Sequence, residues 1–383
     1  MPHQDFDAIK RLALRLHKRA RGKFAIASKV PLRGPRDLKL VYTPGVGAVS
    51  SFLAQHPREL RNYTMKGSSV AVVSDGSAVL GLGNIGPAGA LPVMEGKCLL
   101  FKKFANIDAV PIVLATQDIG EIVRTVKAIS PAFGGINLED IAAPRCFEIE
   151  ARLKRELSIP VMHDDQHGTA IIVLAGLLNA LKVTGKSLPK ARIVINGAGA
   201  AGTATAKLLR KAGARNMLTC DRRGIIYRGR KGLNGYKREL ARLTNPNDEK
   251  GDLAAAVRHA DVFIGVSGPN LVSEDMVRSM ERGAVVFALA NPIPEIMPPL
   301  ARRAGAAVTA TGRSDFSNQL NNSLVFPGVF GGALDHRVRA ITDAMKLGAA
   351  GAIASLVPRP TPANIVPGMF DPRVAKAVAA SIR

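Results

Sequence analysis

Two pairs of acidic residues are the strongest candidates for chemistry in this 383-residue chain. Glu139 and Asp140 directly follow a short apolar run, and Asp164 and Asp165 lie within the polar segment 163–169. Adjacent carboxylates repel each other, so a cation or buried hydrogen bonds must offset their charge. Three carboxylates with open positions suit Mg²⁺ or Mn²⁺, which prefer oxygen ligands. Taken alone, the first pair is equally compatible with a helix N-terminus, where acidic residues are favoured.

A zinc site is the main rival interpretation of the second acidic segment. His163 and His167 lie four residues apart, as zinc ligands on one helix do, and Asp164 could then act as a general base. However, the zinc motif has Glu after its first His. Pro160 before the segment also favours a turn from a strand into a helix over the middle of a helix. We therefore favour Mg²⁺ or Mn²⁺.

A glycine-rich stretch predicts a dinucleotide site. The stretch Gly197, Ala198, Gly199, Ala200, Ala201, Gly202 follows an apolar strand and opens a helix. The glycines allow a tight turn, a close approach of backbone to the pyrophosphate, and close packing of helix on strand. The N-terminus of the helix supplies positive potential for the phosphates.

The next strand ends in a carboxylate that bears on cofactor choice. Asp221 follows Gly202, the last glycine of the stretch, at close to the ~20 residues expected for the acid that accepts a ribose hydroxyl. A carboxylate there favours NAD because it repels a 2′-phosphate. Arg222 and Arg223 follow directly, and Arg can hold that phosphate. The sequence therefore leaves NAD and NADP open.

Strands and helices alternate around these residues, which predicts parallel sheets covered by helices. In the first region the predicted strands are Val70–Val73, Val110–Leu114 and Gly134–Leu138, and the predicted helices are Glu95–Phe104, Gly120–Ile129 and Pro144–Leu157. In the second region the predicted strands are Ala191–Asn196, Met217–Cys220, Val262–Val266 and Val285–Leu289, with a helix over Thr203–Ala212 and a surface excursion over Tyr227–Asn247.

We predict a two-domain α/β protein. Residues 1–165 form an N-terminal domain with a parallel sheet, which carries the metal site. Residues 166–330 form a doubly wound, Rossmann-type NAD(P)-binding domain, and 331–383 form a helical C-terminal segment that packs back on the core. The longest apolar run, 169–181, is shorter than the ~18 residues of a membrane span. Three cysteines and the absence of an apolar signal segment favour a reducing, cytoplasmic location.

The chain is strongly basic, with a formal net charge of +23. Such charge suits either a nucleic-acid-binding protein or an enzyme that attracts anionic metabolites. Aromatic residues make up only 4% of the chain and Trp is absent, so platforms for base stacking are few. Between Lys10 and Arg36 there are ten basic residues and no acidic ones. Apolar residues recur there at helical spacing, at Phe6, Ile9, Leu12, Ala13 and Leu16, which predicts an amphipathic helix with a basic face. We favour the enzyme and keep nucleic-acid binding as an alternative.

Seven stretches of the chain, in order and over nearly its whole length, resemble the malic enzymes, and most closely the short bacterial and archaeal type. They are Tyr42–Val46, Val73–Gly86, Leu91–Lys97, Gly135–Asp140, His163–Gly168, Phe287–Pro292 and Asn321–Gly328. The resemblance implies oxidative decarboxylation of (S)-malate to pyruvate and CO₂, with reduction of NAD or NADP, dependence on a divalent metal ion, and a homodimer.

The resemblance also implies a role for individual residues. Lys97 matches the general base, Tyr42 the general acid, and Asp164 a neighbouring carboxylate that tunes the lysine. The metal ligands implied are Glu139, Asp140 and Asp165; the residues implied to hold substrate are Asn291 and Asn322; those implied to bind the cofactor are Gly197, Gly199, Ala200, Ala201, Gly202, Asp221, Arg222 and Asn291.

Some expectations stay open. Without the resemblance, Tyr42 before Thr43-Pro44-Gly45 would be a turn residue, and Lys97 an ordinary helix lysine. The stretch 76–79 lacks the Arg with which larger members of the family hold a substrate carboxylate. A dehydrogenase of another 2-hydroxy acid, which releases no CO₂, is therefore an alternative.

Overall fold

The computed structural model describes residues 6–79 and 81–383. Leu80, in the stretch 73–86, lies outside the described residues. Four helices precede the first strand: α1 (Phe6–Ala20), α2 (Pro35–Val41), α3 (Gly45–Gln55) and α4 (Leu60–Tyr63). The amphipathic helix predicted near the N-terminus is α1.

The first sheet has four parallel strands in the order β2-β1-β3-β4. Its elements are β1 (Ser69–Ser74), α5 (Gly86–Ala105), β2 (Asp108–Val113), α6 (Ile119–Ile129), β3 (Gly135–Leu138), α7 (Arg145–Glu156) and β4 (Val161–His163). Successive side chains of β1 point to opposite faces, as in any strand. Val70 and Val72 pack in the core that contains Phe101 of α5, whereas Ala71 and Val73 pack in the core that contains α6 and α7.

The second sheet has six strands in the order β10-β9-β8-β5-β6-β7, and only the short β7 is antiparallel. Its strands are β5 (Arg192–Asn196), β6 (Asn216–Asp221), β7 (Gly224–Ile225), β8 (Val262–Gly265), β9 (Val285–Ala288) and β10 (Val308–Thr311). The helices of this half are α8 (Asp164–Thr184), α9 (Ala200–Lys211), α10 (Gly235–Leu243), α11 (Leu253–Val257), α12 (Glu274–Arg278), α13 (Pro298–Arg303), α14 (Phe326–Asp335), α15 (Asp343–Ser355) and α16 (Arg373–Ala380). The two parallel sheets and the helical C-terminus confirm the predicted fold class.

Helix α8 is the main structural link between the two sheets. It begins directly after β4, packs against α9 and α15, and ends where Gly185 takes a left-handed conformation. By length and composition alone it could cross a membrane, but most of it is buried inside the protein. The apolar run 169–181 is therefore the middle of a core helix, which starts five residues before that run.

Three differences from the predicted elements have local causes. Helix α5 begins at Gly86, nine residues early, because Pro87 suits a first helical turn and Pro92 is accommodated inside the helix. Strands β4 and β10 have only three and four residues, too few for a clear pattern. The predicted excursion 227–247 contains α10, which Asn234 caps by accepting a hydrogen bond from the Lys237 backbone N–H.

Candidate active site and metal centre

The acidic segments meet because their strands are neighbours. In the parallel sheet Leu138, the last residue of β3, pairs with His163, the last residue of β4. Glu139 therefore leaves β3 beside the point where Asp164 leaves β4 to open α8. The carboxyl ends of parallel strands are the edge at which α/β proteins place ligands.

Glu139, Asp140 and Asp165 converge as the sequence predicts. Each offers one carboxylate oxygen, and these oxygens all lie within 4.8 Å of one another. The Asp140 backbone N–H donates to Asp165 Oδ2 at 2.8 Å, and Asn137 Nδ2 donates to Glu139 Oε2 at 3.0 Å. A set of three carboxylate oxygens with open positions fits a hard divalent cation such as Mg²⁺ or Mn²⁺.

Lys97 of α5 projects into the same cluster. Its Nζ lies 2.5 Å from Glu139 Oε1 and 2.5 Å from Asp164 Oδ2, and only 7% of its side chain is exposed. The Phe326 ring covers it, with Nζ 4.4 Å from the ring centroid. The lysine amine is therefore held in one place, shielded from water, beside the metal-ligand carboxylates.

The protein alone favours the protonated form of Lys97. Burial lowers the pKa of this ammonium, but the charges of Asp164, Glu139 and Asp165 outweigh burial and leave the pKa raised. Burial, with the nearby charge of Glu139, raises the pKa of Asp164 to about 7. A lysine acts as a general base near neutral pH only if its pKa lies well below the ordinary value of about 10.4. Added positive charge must therefore offset these carboxylates before Lys97 can accept a proton.

The two histidines do not form a zinc site. Within residues 6–79 and 81–383, the acidic metal-type cluster includes neither of them. His163 ends β4 and is fully buried, while the His167 ring lies 3.0 Å from Glu150 Oε2 in the first turn of α8. Burial lowers the pKa of both imidazoles to about 4. The turn from strand to helix that favours a carboxylate site over zinc is confirmed.

The glycine-rich loop has the shape of a dinucleotide cradle. Gly197 follows β5 with φ of 127°, and a Cβ on it would lie 2.6 Å from the Val266 carbonyl oxygen. A Cβ on Gly202 would overlap the Gly197 carbonyl oxygen, whereas one on Gly199 would meet only open space. The predicted loop is therefore tightly packed at Gly197 and Gly202 and open at Gly199. It leads directly into α9, which begins at Ala200.

Asp221 ends β6 as predicted, but two cations missed by the sequence analysis hold its carboxylate. Arg230 forms a buried ion pair with Asp221 Oδ2, and Lys237 Nζ lies 2.6 Å from the same oxygen. Burial raises the pKa of Asp221, but the hydrogen bonds from these two cations outweigh it and lower the pKa to about 2. Both cations come from the excursion 227–247, whose basic composition is the only sequence signal for them. Arg222 and Arg223 are exposed beside the acid.

Asn291 and Asn322 lie where the two halves of the molecule meet. A Cβ on Gly81, in the loop after β1, would lie 2.2 Å from the Asn291 carbonyl oxygen. A Cβ on Gly168, in the second turn of α8, would lie 3.1 Å from Asn322 Cβ. Both asparagines are therefore near elements of the carboxylate cluster while belonging to the half with the glycine-rich loop.

Glu295 is a functional candidate that the sequence analysis missed. It is fully buried, and its two carboxylate oxygens accept hydrogen bonds from the backbone N–H groups of Ser267, at 2.9 Å, and Ala290, at 3.1 Å. It thus joins the loop after β8 to the loop after β9, which carries Asn291. Gly265 makes room for it, since a Cβ there would lie 2.4 Å from Glu295 Cδ. A Glu directly after Pro294 gives no sequence signal of this role.

Glu295→Gln is expected to lower kcat/KM for the cofactor by about tenfold. The amide keeps the shape but turns one acceptor into a donor that faces a backbone N–H, and an unsatisfied buried pair costs about 1–3 kcal/mol. Steady-state kinetics at varied cofactor concentration measure the effect, with the exposed Glu281→Gln as control. A fall in melting temperature with unchanged kcat and KM would show that Glu295 only stabilises the fold.

Tyr42 is the one predicted catalytic residue that the chain does not bring to the cluster. It caps the C-terminal end of α2, and 65% of it is exposed. Among the described residues, no hydrogen bond joins its side chain to Lys97, Asp164 or Glu139. A single chain therefore assembles the lysine, the carboxylates and the glycine-rich loop, but not the phenol.

Comparison with known proteins matches nearly the whole chain to one family. Residues 21–154 match the family model of the malic enzyme N-terminal domain, and residues 166–383 match that of the malic enzyme NAD-binding domain. The chain is 54% identical over 378 residues to the "Bifunctional malic/malolactic enzyme" of Bacillus subtilis, covering 98% of this chain and 92% of that protein. It is 46% identical to an "NADP-dependent malic enzyme" of Rhizobium meliloti, covering 96% of this chain and 50% of that protein.

A solved structure has nearly the same fold. The crystal structure of the NAD-dependent malic enzyme of Thermotoga maritima superposes with a TM-score of 0.94 at 50% sequence identity. The match covers 97% of this chain and 98% of that one. The overall fold, with both sheets, is therefore shared with that protein.

Proposed function

The chain belongs to the malic enzyme family, and we propose that the cluster around Lys97 is where it converts (S)-malate to pyruvate and CO₂. The family carries out this oxidative decarboxylation with NAD or NADP. The observation that carries the assignment of the site is a buried lysine amine in contact with Glu139 and Asp164, at the edge where the three ligand carboxylates meet.

The residues of the chain divide the work of the reaction. Lys97 Nζ accepts the proton of the malate C2 hydroxyl, and Asp164 holds the resulting ammonium in place. Asn291 and Asn322 hold the substrate from the opposite side of the cleft. When bound, NAD or NADP accepts the C2 hydride, and Mg²⁺ or Mn²⁺ on Glu139, Asp140 and Asp165 supplies a Lewis acid and offsets the carboxylate charge around Lys97. After hydride transfer the C3–C4 bond of the resulting 2-oxo acid breaks, which releases C4 as CO₂ and leaves enolpyruvate. Tyr42 then protonates C3 to give pyruvate, and the Lys97 ammonium returns a proton to the Tyr42 phenolate.

Product analysis with purified protein tests this assignment. Malate should reduce NAD⁺ or NADP⁺ only with Mg²⁺ or Mn²⁺ present, and pyruvate and CO₂ should form in equal amounts to the reduced cofactor. Reduced cofactor without CO₂ would instead indicate a simple 2-hydroxy-acid dehydrogenase. Because a relative carries "malolactic" in its name, lactate should be quantified in the same samples.

The cofactor pocket supports use of NADP as well as NAD. Asp221 is already neutralised by Arg230 and Lys237, so it no longer repels a 2′-phosphate. Arg230 is buried and also donates to the carbonyl oxygens of Gly224 and Ile225, which fixes it on the acid. The Lys237 side chain, about one-third exposed on α10, can rotate from Asp221 to the 2′-phosphate of NADP while Arg230 keeps its ion pair with Asp221.

Lys237→Gln is expected to raise KM for NADP⁺ by about tenfold and leave KM for NAD⁺ within about twofold. The change removes a charge-assisted hydrogen bond to the 2′-phosphate, worth about 1.5–3 kcal/mol, and leaves Arg230 on the acid. Paired initial-rate measurements with both cofactors provide the readout, and Lys231→Gln, exposed in the same segment, is the matched control. Equal changes for the two cofactors would place Lys237 away from the phosphate.

The N-terminal segment supports a homodimer. Residues 8–65 include no buried residue, although they are rich in large apolar side chains. The most exposed of these are Leu12, Leu14, Ile26, Leu32, Leu40 and Tyr42. Monomeric proteins seldom expose continuous apolar patches beyond a few hundred Å². A second copy of the chain covers this surface in our proposal.

Tyr42 lies within the same surface, so the dimer offers a way to bring the phenol to the site. In a two-fold dimer each N-terminal segment reaches the partner as the partner's segment reaches back. We therefore assign Tyr42 to the active site of the other copy, where it meets a Lys97 that it does not meet in its own chain.

Mixing two inactive variants tests this assignment. Tyr42→Phe and Lys97→Met, co-expressed with different tags, should recover about one quarter of wild-type activity. Random pairing makes half of the dimers mixed, and each mixed dimer then has one site with both residues intact. If Tyr42 acted in its own chain, every site of a mixed dimer would lack one residue and activity would stay at background. Wild-type protein mixed with Lys97→Met calibrates the exchange of subunits.

A further inference from the structure

A cavity whose lining does not include Lys97 lies between the two halves of the molecule. It has a volume of about 540 Å³ and is enclosed by α7 and the start of α8 on one side and by α9, α10 and α15 on the other. Cavities of this size hold small organic molecules in proteins. We propose that it binds a small organic anion with an apolar body, such as an aryl or alkyl phosphate or carboxylate.

Buried hydrogen-bond donors in this cavity lack acceptors. Lys346 is 5% exposed, and its ammonium has three N–H donors. Among the described residues, its one hydrogen-bond acceptor is Asp343 Oδ1, at 3.1 Å. The Thr203 hydroxyl is buried and has no hydrogen-bond partner among the described residues. Burial and the nearby Lys154 ammonium lower the pKa of Lys346, as expected for a cation short of counter-charge. An anionic group would satisfy both donors.

The carboxylates around the cavity are already engaged, which excludes a cationic ligand. Asp343 Oδ2 lies 2.8 Å from Lys211 Nζ, and Glu239 lies 2.8 Å from Lys207 Nζ. Glu150 accepts from the His163 backbone N–H at 2.9 Å and contacts Lys154 and His167. The cavity walls therefore offer hydrogen-bond donors to a ligand. Arg210 is a further donor, since within residues 6–79 and 81–383 its guanidinium bonds only to the Ala214 carbonyl oxygen.

The opposite wall is apolar and indicates the rest of the ligand. Phe147 of α7 and Tyr236 of α10 contact each other with ring centroids 4.5 Å apart, so one aromatic pair spans the two halves. Ala204, Leu208 and Leu243 continue this wall. A bare inorganic ion would leave this apolar wall exposed to water, whereas an apolar substituent on the ligand would remove the wall from water.

Occupancy of the cavity bears on the active site through Glu150. This carboxylate lines the cavity and also holds the backbone N–H of His163, one residue before Asp164. A ligand that contacts both α7 and α9 therefore shifts the first turn of α8, which carries Asp164. The ligand would change kcat or KM in this way without contacting malate.

Calorimetry with saturating NAD⁺ tests the proposal directly, with inorganic phosphate and phenyl phosphate as probes. Phenyl phosphate should bind at least about tenfold more tightly than phosphate. Lys346→Met and Thr203→Val should each weaken both probes, the former by about tenfold or more, whereas Phe147→Leu should weaken phenyl phosphate alone. Lys376→Met, exposed on α16, should change nothing.

Two results would overturn the proposal. One is no binding of either probe, or binding that Lys346→Met and Thr203→Val leave unchanged while both variants melt like the wild type. The other is inhibition by phenyl phosphate that is competitive with malate, because it would place the probe in the active site. Binding is measured without turnover, so its failure is distinct from failure of the assigned reaction.

Discussion

Replacing Lys97 by Met is expected to lower kcat for malate oxidation by about 10³-fold. General bases contribute about 10²–10⁴-fold in rate, and the alkyl chain of Met keeps the packing under Phe326 while removing the amine. Loss of the ammonium also removes the ion-pair partner of Asp164, which lies 2.5 Å from Lys97 Nζ. We therefore expect the variant to lose substrate orientation as well as proton transfer. Rates of cofactor reduction at saturating malate and metal measure the change.

Lys103→Met is the matched control, because Lys103 is exposed on the same helix. It should keep wild-type kcat, while both variants should bind Mn²⁺, since the ligand carboxylates are untouched. A Lys97→Met protein that keeps more than about one tenth of wild-type kcat would remove the lysine from the proposed base role.

Asp165→Asn is expected to weaken Mn²⁺ binding by at least about 10²-fold and to abolish activity at ordinary metal concentrations. Even residues that only orient metal ligands are worth about 10–100-fold in affinity, and here a charged ligand itself is lost. The amide keeps the size and can still accept from the Asp140 N–H, so the loop is retained. Titration of Mn²⁺ followed by electron paramagnetic resonance measures affinity without turnover.

The control is Asp275→Asn, an exposed aspartate of α12. Chelator-treated wild-type protein should lose activity and regain it with Mg²⁺ or Mn²⁺, whereas Asp165→Asn should need far more metal. If Asp165→Asn bound Mn²⁺ as tightly as the wild type, the three-carboxylate site would be the wrong location for the cation.

The parts of the site that sequence predicts are those fixed by a short range of chain. Glu139, Asp140 and Asp165 each follow a strand, so parallel pairing alone brings them to one edge. The loop from Gly197 to Gly202 is equally local, because its shape depends on three glycines between a strand and a helix.

The parts that sequence does not predict depend on contacts between distant segments. Glu295 joins two loops because each loop donates a backbone N–H to its carboxylate. Lys237 reaches Asp221 because the segment 227–247 folds back on the end of β6. The first turn of α8, from Asp164, gives little helical signal because it is polar, although the helix is apolar further on. For Tyr42 a motif gave a role, but the single chain leaves this side chain exposed.

The three candidate ligand carboxylates are all carried by the ends of two neighbouring strands of the first sheet. Glu139 and Asp140 directly follow β3, and Asp165 lies two residues after β4, which pairs with β3. The fold therefore gathers three like charges before any cation binds, and these charges repel each other. A cation that binds only the folded protein and offsets this repulsion should raise the free energy of unfolding, so the melting temperature should rise with Mn²⁺ concentration.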